Sequence, residues 1–152
     1  MNGPAIGARV VIEARRWRGT PYRHQASHRG VGCDCLGLVR GIWRTLYGRE
    51  PQTIPAYTPD WGEAPGREFL LEAASRHLHP VPVAAARAGD LLVFRWRREA
   101  VAKHLGILTS NRRESRRFIH AWEKAGVVET GLGPSWTRRI CTTFRFPEPA
   151  EI

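Results

Sequence analysis

The chain changes its hydrophobic period about halfway along its length. In the first half, apolar residues recur every three or four positions, which predicts helices over residues 4–17, 34–47 and 66–78. In the second half, short β-branched and aromatic runs separated by turns predict an antiparallel sheet. Its strands are expected at residues 90–96, 104–109, 117–122, 126–129 and 138–146. Helices followed by strands predict an α+β fold, with the sheet packed against the second helix.

The predicted helices have distinct apolar and polar faces. The first places Val10 and Ala14 toward the core and Glu13 on the opposite, polar face. The second can be capped by Asp34 and ended by Gly48. The expected core positions are Ile6, Val10, Val11, Ala14 and Trp17 in the first helix, Leu38, Val39, Ile42, Trp43 and Leu46 in the second, and Phe69, Leu70, Ala73 and Ala74 in the third.

Three stretches are predicted to lie outside regular elements. Residues 22–32 are expected to form a polar, glycine-containing loop that enters the second helix without a strand. Residues 51–66 hold four prolines, which indicates an irregular connector over the surface. Residues 80–88 form a link rich in proline and alanine. The helices and the sheet are therefore expected to be joined by irregular chain.

The length and composition indicate a single domain. A chain of 152 residues with 42% apolar residues fits a single domain, residues 1–152, with one core. The N-terminus does not have the basic start and apolar stretch of a secretory signal. No apolar run approaches the length that spans a membrane. We therefore expect synthesis in the cytoplasm without a signal peptide, and no membrane span.

The chain carries a net charge of +10, and 22 of its 24 basic residues are arginine. A GC-rich coding sequence would explain this bias without any function. Attraction to a polyanion, such as a cell envelope or a nucleic acid, is the functional explanation. The arginine cluster at residues 112–117 fits a solvated hairpin turn better than a nucleic-acid site. The charge alone does not separate these two explanations. Nucleic-acid binding is disfavoured by the position of the cluster, and steeply salt-dependent DNA binding would restore that possibility.

Cys35 is the first candidate for chemistry. It follows Asp34 at the predicted start of the second helix, among Gly32 and Gly37. Free N–H groups and the positive end of the helix dipole stabilise a thiolate there. We therefore expect the pKa of Cys35 to lie well below that of a free thiol. The alternative is that Cys35 has no chemical role and is buried as a small hydrophobic residue.

His104 and His120 are the candidate partners of this cysteine. Each lies in a predicted strand, and their separation of 16 positions fits one strand, a turn and the next strand. Such a hairpin brings them together, so that His120 can fix the tautomer of His104. The three residues predict a nucleophile, a base and a group that orients the base. Separately, each histidine fits an ordinary surface or core position.

Two other uses of the cysteines remain open at this stage. Cys33 and Cys35 are closer together than the usual pair of zinc ligands, and Cys141 stands alone, so a metal site is disfavoured. A disulfide between Cys33 and Cys35 would be strained, and is disfavoured further. Three cysteines leave at least one free thiol in any pairing. No cofactor or metal is therefore expected.

Five blocks of the sequence resemble the NlpC/P60 cysteine peptidases, over about residues 5–130. They occur in the order found in that family, and the resemblance is strongest to the short phage-tail and gene-transfer-agent cell-wall peptidases. The blocks are Thr20-Pro21-Tyr22, Asp34-Cys35-Leu36-Gly37-Leu38-Val39, Gly89-Asp90-Leu91-Leu92-Val93-Phe94, His104-Leu105-Gly106-Ile107 and Ile119-His120-Ala121.

The resemblance implies a papain-like α+β fold that hydrolyses stem-peptide amide bonds of peptidoglycan, usually between D-glutamate and the diamino acid. It implies Cys35 as nucleophile, a cationic His104 as base and His120 as its orienting partner. Tyr22 would help to stabilise the oxyanion, and Asp34 matches a residue that in some members binds a free amine. Leu36 stands where the family commonly has serine, which favours a substrate within intact wall strands.

The resemblance also implies a route to the substrate. A wall-degrading enzyme without an export signal can be carried on a phage-like particle, bound to tail-tip or hub proteins, to the target cell's periplasm or wall. The alternative is a structural tail-tip subunit with the same fold and little or no wall activity. Comparing wall clearing by the wild type and by Cys35→Ala distinguishes the two.

Overall fold

The computed structural model describes residues 5–54, 57 and 68–151. The three predicted helices are confirmed, each within two residues of its predicted end wherever that end is described. Pro4 and residues 66–67, which were predicted to begin two of them, lie outside the described residues. A fourth, one-turn helix was not predicted. The helices are α1 (Ile6–Arg16), α2 (Cys35–Tyr47), α3 (Phe69–His77) and α4 (Pro134–Thr137).

The strands form a two-stranded and a six-stranded sheet, with every pair antiparallel. The six-stranded sheet has the order β3-β8-β4-β5-β6-β7, so the last long strand lies between β3 and β4. The predicted α+β class is therefore confirmed. The strands are β1 (Ser27–His28), β2 (Gly32–Cys33), β3 (His79–Val81), β4 (Leu91–Arg95), β5 (Ala102–Ser110), β6 (Arg117–Trp122), β7 (Gly126–Gly131) and β8 (Ile140–Arg145).

The large sheet has two different faces, because side chains alternate along each strand. Leu105 and Ile107 of β5 point to the face that packs against the helices, where they join the main core with Leu38 and Ile42 of α2. The opposite face carries a smaller aromatic cluster of buried and partly buried side chains. It contains Leu92, Phe94, Leu108, Phe118 and Trp136. α2 is therefore packed on the sheet, as predicted.

β5 is paired with β6 only over part of its length. The pairing runs from Ile107 opposite Ile119 to Ser110 opposite Arg117, and it contains a bulge. The pairing of β4 with β5 extends closer to the start of β5, since Phe94 lies opposite His104. The first residues of β5 are therefore paired on the β4 side, and the N-terminus of α2 meets them on the other.

Two sequence predictions about irregular segments were wrong. Residues 22–32 contain a small hairpin, β1 and β2, so a short strand does precede α2. The link at residues 80–88 begins in β3, which pairs with β8, and continues as a 3-10 turn over Val83–Ala85. These strands have no hydrophobic alternation of their own. They form because their backbone groups find partners elsewhere in the chain.

Glu13 was also misplaced by its helical periodicity. It is buried, and its carboxylate accepts hydrogen bonds from Trp17 Nε1 at 3.1 Å and from Thr45 Oγ1 at 3.2 Å. A buried carboxylate needs such donors, and Trp17 supplies one from the C-cap of α1 and Thr45 the other from α2. Glu13 thus joins the two helices instead of facing solvent.

The remaining predictions on chain organisation are resolved only in part. Most of the connector predicted at residues 51–66 lies outside the described residues, apart from 51–54 and 57. Within the described part of the chain, the helices are all too short and too polar to cross a membrane.

Candidate active site

The N-terminus of α2 is held by a buried aspartate. Asp34 is 2% exposed, and its Oδ1 accepts from the backbone N–H of Gly37 at 2.7 Å, which is the predicted N-cap. Its Oδ2 accepts from the backbone N–H of Gln25 at 2.8 Å and from the hydroxyl of Tyr57. Gln25 adopts a left-handed conformation, with φ of 66°. This turn directs the N–H of Gln25 toward the helix cap, so the β1–β2 region and α2 are joined at Asp34.

Cys35 begins α2 and points its sulfur at the first part of β5. The residue is 5% exposed, and Sγ lies 3.9 Å from the carbonyl oxygen of Lys103. The backbone N–H of Leu105 also contacts the sulfur. The nucleophile predicted from sequence therefore lies against the backbone on both sides of His104.

The structure does not support the predicted low pKa of Cys35. Burial raises the pKa of the Cys35 thiol to about 12, and the nearby charge of Asp34 raises it further. Backbone N–H groups of Leu105 and Leu36 act in the opposite direction with a smaller effect. The prediction counted the helix dipole and omitted both burial and the capping carboxylate, whose negative charge sits at the same helix end.

His104 and His120 meet as the sequence predicted. Nε2 of His104 lies 2.8 Å from Nδ1 of His120, and the two residues are 5% and 1% exposed. Nε2 of His120 in turn lies 3.0 Å from Oγ1 of Thr130 on β7. Nδ1 of His104 has no hydrogen-bond partner among the residues that the structure describes. A continuous chain of hydrogen bonds thus leads from His104 to Thr130.

Both histidines are neutral in this arrangement. Burial lowers the pKa of His104 well below its usual range, and the neighbouring His120 lowers it further. Burial also lowers the pKa of His120 to about 4. The predicted cationic His104 is therefore not supported. Burial is the largest effect on both groups, and it favours the neutral thiol and the neutral imidazole.

Tryptophan rings enclose the imidazole of His104. Trp96 stacks on it with 5.4 Å between ring centroids, and Trp122 and Trp136 each lie 5.8 Å away. Phe94 contacts the same ring at 5.6 Å. This enclosure explains the burial of His104, and it holds the ring in a single orientation.

Tyr22 lies beside the nucleophile, as expected. It makes an isolated parallel bridge to Cys33, and the backbone N–H of Cys33 donates to Pro21 O at 3.0 Å. Burial raises the pKa of Tyr22, and nearby Cys35 and Asp34 raise it further. The phenol therefore stays protonated at neutral pH and remains a hydrogen-bond donor.

Asp34 is occupied by internal contacts. Besides the three donors already described, Nδ1 of His24 lies 3.7 Å from Oδ2. His24 and Gln25 also bond to the carbonyl oxygen of Tyr57, at 2.9 and 2.7 Å. These contacts account for the aspartate as a structural cap that ties Tyr57 to the helix start. They leave little room for it to recognise a substrate amine.

Thr130 and the enclosing tryptophans were not predicted from the sequence. The predicted fourth strand ended at residue 129, one position before Thr130, whereas β7 continues to Gly131. Thr130 shares a face of the β6–β7 hairpin with His120, because Val128 lies directly opposite His120. The strand register could have suggested Thr130. Trp136 lies on α4, and no local pattern links it to His104.

The other cysteines stand apart from this chain of hydrogen bonds. All three cysteines are free thiols. Cys33 is buried beside Tyr22, and Sγ of Cys141 lies 3.3 Å from the carbonyl oxygen of Val93. Among the described residues, no three His, Cys, Asp or Glu side chains are grouped so that they could hold a metal ion.

Comparison with known proteins connects this geometry to a family. The model of the NlpC/P60 family matches residues 19–145, which include Tyr22, Cys35, both histidines and Thr130. No curated protein matches the chain. The match covers most of the chain.

Solved structures have the same fold. The NlpC/P60 domain of the peptidoglycan hydrolase SagA is 24% identical, with a TM-score of 0.63, over 92% of this chain and 98% of that one. A lipoprotein-like NLP/P60 family protein from Staphylococcus aureus is 19% identical, with a TM-score of 0.59, over 95% of this chain and 43% of that one. An NlpC protein from Trichomonas vaginalis is 18% identical, with a TM-score of 0.62, over 96% of this chain and 45% of that one. The chain thus spans less than half of the last two.

Proposed function

Because the chain belongs to the NlpC/P60 family, whose members are cysteine peptidases that act on peptidoglycan, we propose that it is a peptidoglycan endopeptidase. It cleaves an amide bond of the stem peptide, between D-glutamate and the diamino acid. The likeness to the domain of a peptidoglycan hydrolase supports this substrate class. One observation carries the proposal: Sγ of Cys35 lies against the backbone that flanks His104, whose far nitrogen is bonded to His120.

The hydrogen-bond chain sets the tautomers that the reaction needs. To act as a base through Nδ1, neutral His104 must carry its proton on Nε2 and donate it to Nδ1 of His120. His120 then carries its own proton on Nε2 and donates it to Oγ1 of Thr130. Each distance in this chain, 2.8 and 3.0 Å, fits such a bond. The relay thus leaves the lone pair of Nδ1 available for the thiol proton.

Acylation begins with the neutral pair. As the sulfur attacks the scissile carbonyl, its proton passes to Nδ1 of His104, and the carbonyl electrons move to the oxygen. The backbone N–H of Cys35, which has no partner within its helix, and the hydroxyl of Tyr22 stabilise that oxyanion. The carbon–nitrogen bond then breaks as His104 returns the proton to the leaving amine. The product is a thioester on Cys35.

Deacylation repeats the same proton transfers with water. Nδ1 of His104 takes a proton from the attacking water, and the tetrahedral intermediate expels the sulfur. The proton then returns to the sulfur, and the product leaves as a carboxylic acid that loses its own proton to solvent. Aromatic rings around His104 exclude bulk water, which strengthens each of these electrostatic interactions.

Mass analysis of muropeptides tests the proposal directly. Purified peptidoglycan incubated with the wild-type chain should yield fragments with a new amine on the diamino acid. Cys35→Ala and His104→Gln should release none, because one removes the nucleophile and the other removes the base. His28→Gln is the matched control, since His28 is exposed on β1 and should keep wild-type activity. Fragments cut at another bond would contradict the assignment of the D-glutamate bond, but not the peptidase activity.

We further propose that a phage-like tail tip delivers the enzyme to the target cell wall, bound to tail or hub proteins. Support comes from the resemblance of its five sequence blocks to short phage-tail members of the family. Mass spectrometry of purified particles should detect the chain. Repeated absence from particles that contain their other tail proteins would contradict this delivery route.

A structural tail-tip subunit is the second candidate function. The observation that favours it is the deep burial of Cys35, which leaves a thiol of raised pKa with little contact to solvent. Such a subunit would clear a peptidoglycan gel no better than its Cys35→Ala variant. Clearing by the wild type alone assigns the chain to the enzymes.

A further inference from the structure

A groove of about 540 Å³ opens beside the rings that cover His104. Five arginines and Trp96 line it, together with Ile140 and Cys141, and none of the described residues that line it is acidic. We call it the arginine groove, and its arginines are Arg95, Arg97, Arg98, Arg138 and Arg139. Several guanidinium groups around one concavity repel one another unless an anion lies among them.

The arginines differ in how they are held. Arg95 is neutralised by Glu68 at 3.2 Å and also donates to the carbonyl oxygen of Ala100 at 3.0 Å. Arg139 is anchored through NH1 to Ser135, at 2.7 Å from the hydroxyl and 2.9 Å from the carbonyl oxygen. Nε of Arg139 is buried and has no acceptor among the described residues. Arg98 and Arg138 are exposed at the rim.

The groove adjoins the reacting imidazole through two tryptophans. Trp96 lines the groove and stacks on His104, and Arg97 and Arg98 follow it in the chain. Trp136 contacts the same imidazole, and Arg138 and Arg139 follow it by two and three positions. The basic side chains therefore follow, in the chain, two of the tryptophans that contact His104.

The reaction decides which part of the substrate lies beside His104. His104 gives its proton to the leaving amine, so the amine-side half of the peptide must lie against His104. We propose that the arginine groove binds the free carboxylates of that amine-side half. This inference rests on the proposed function for the identity of the peptide.

The chemistry of the two partners is complementary. The amine-side half begins with the diamino acid and ends in free carboxylates, which carry negative charge at neutral pH. Guanidinium groups bind carboxylates through paired, charge-assisted hydrogen bonds. The indole of Trp96 offers an apolar surface for the carbon chain between those carboxylates. The groove thereby distinguishes free stem peptides from those whose carboxylates are amidated.

Calorimetry on the 152-residue chain with Cys35→Ala tests the groove without turnover. The probes are a diamino acid–D-alanine dipeptide with free carboxylates and the same dipeptide with its carboxylates amidated. We expect the free form to bind at least about tenfold more tightly, as charged hydrogen bonds imply. Adding Arg98→Gln and Arg138→Gln should remove that preference. Arg112→Gln and Arg113→Gln remove equal charge from the exposed β5–β6 turn and should leave it unchanged.

The outcomes separate this inference from the proposed function. Wild-type hydrolysis with equal binding of both dipeptides would overturn the groove and leave the peptidase intact. Arginine-dependent binding without hydrolysis would support the groove and count against the peptidase. Tight binding of a glycerol-phosphate oligomer, with no preference between the dipeptides, would assign the groove to a wall phosphate and overturn the proposal. Melting curves confirm that each variant is folded.

Discussion

The hydrogen-bond chain from His104 ends at a threonine hydroxyl, and the direction of each bond follows from the one before it. Only a protonated Nε2 on His104 leaves its Nδ1 free to act as a base. His120 must then accept at Nδ1 and carry its own proton on Nε2. Oγ1 of Thr130, 3.0 Å from that nitrogen, must accept this proton's hydrogen bond. Thr130 contacts neither the sulfur nor the imidazole of His104. It is a positioning residue, which acts by keeping His120 in the tautomer that accepts from His104.

Replacing Thr130 by valine tests this role. The variant keeps the shape and loses the acceptor, so His120 loses its preference for a protonated Nε2. A net hydrogen bond of about 1 kcal/mol corresponds to roughly a fivefold lower kcat. KM should stay unchanged, because the hydroxyl touches no substrate. Thr130→Ser restores the acceptor and should recover most of kcat. A fall in melting temperature without a fall in kcat would reduce Thr130 to a structural residue.

At the scale of elements, the long amphipathic helices and the strands rich in β-branched residues were predicted correctly. Their signals are local, because burying one face of a helix or strand requires apolar residues at a fixed spacing. The short strands β1, β2 and β3 were missed, since they are defined by pairing with distant backbone. Trp136 on α4 was missed for the same reason. Its contact with His104 depends on how the chain returns after β7.

The start of α2 shows both outcomes in one element. Asp34 was correctly predicted as the cap, because an aspartate before an apolar helix satisfies free N–H groups locally. The pKa of the neighbouring thiol was predicted in the wrong direction. A dipole is a property of the helix, but burial of Cys35 is imposed by β5 and by the residues around it. At the start of the same helix, the cap was therefore predicted correctly and the charge state of the thiol was not.

For the molecule as a whole, the buried pair of histidines links folding to pH. Burial lowers the pKa of His104 and of His120, the latter to about 4, whereas an unfolded histidine titrates near 6.5. Above pH 6.5 both residues are neutral in either state, and their contribution to stability is complete. Below that pH the unfolded chain binds protons that the folded chain excludes. The free energy of unfolding must therefore fall.

Urea unfolding between pH 7 and pH 4.5 measures this loss. Each buried histidine should lower the free energy of unfolding by up to about 1.4 kcal/mol per pH unit. His120→Asn should make the pH dependence shallower by one proton, whatever its effect on stability at pH 7. His28→Gln, which replaces an exposed histidine, is the matched control variant. Equal slopes for the wild type and His120→Asn would show that His120 titrates normally in the folded chain.

The sequence alone determined the α+β class, the helix that begins at Cys35 and the two histidines placed one hairpin apart. These follow from periodicity, capping and strand spacing, which act between near neighbours in the chain. Tertiary structure decided which groups are ionised, which hydroxyl ends the hydrogen-bond chain and where the arginines gather. Burial and strand register produce these features, and both arise only when distant parts of the chain pack together.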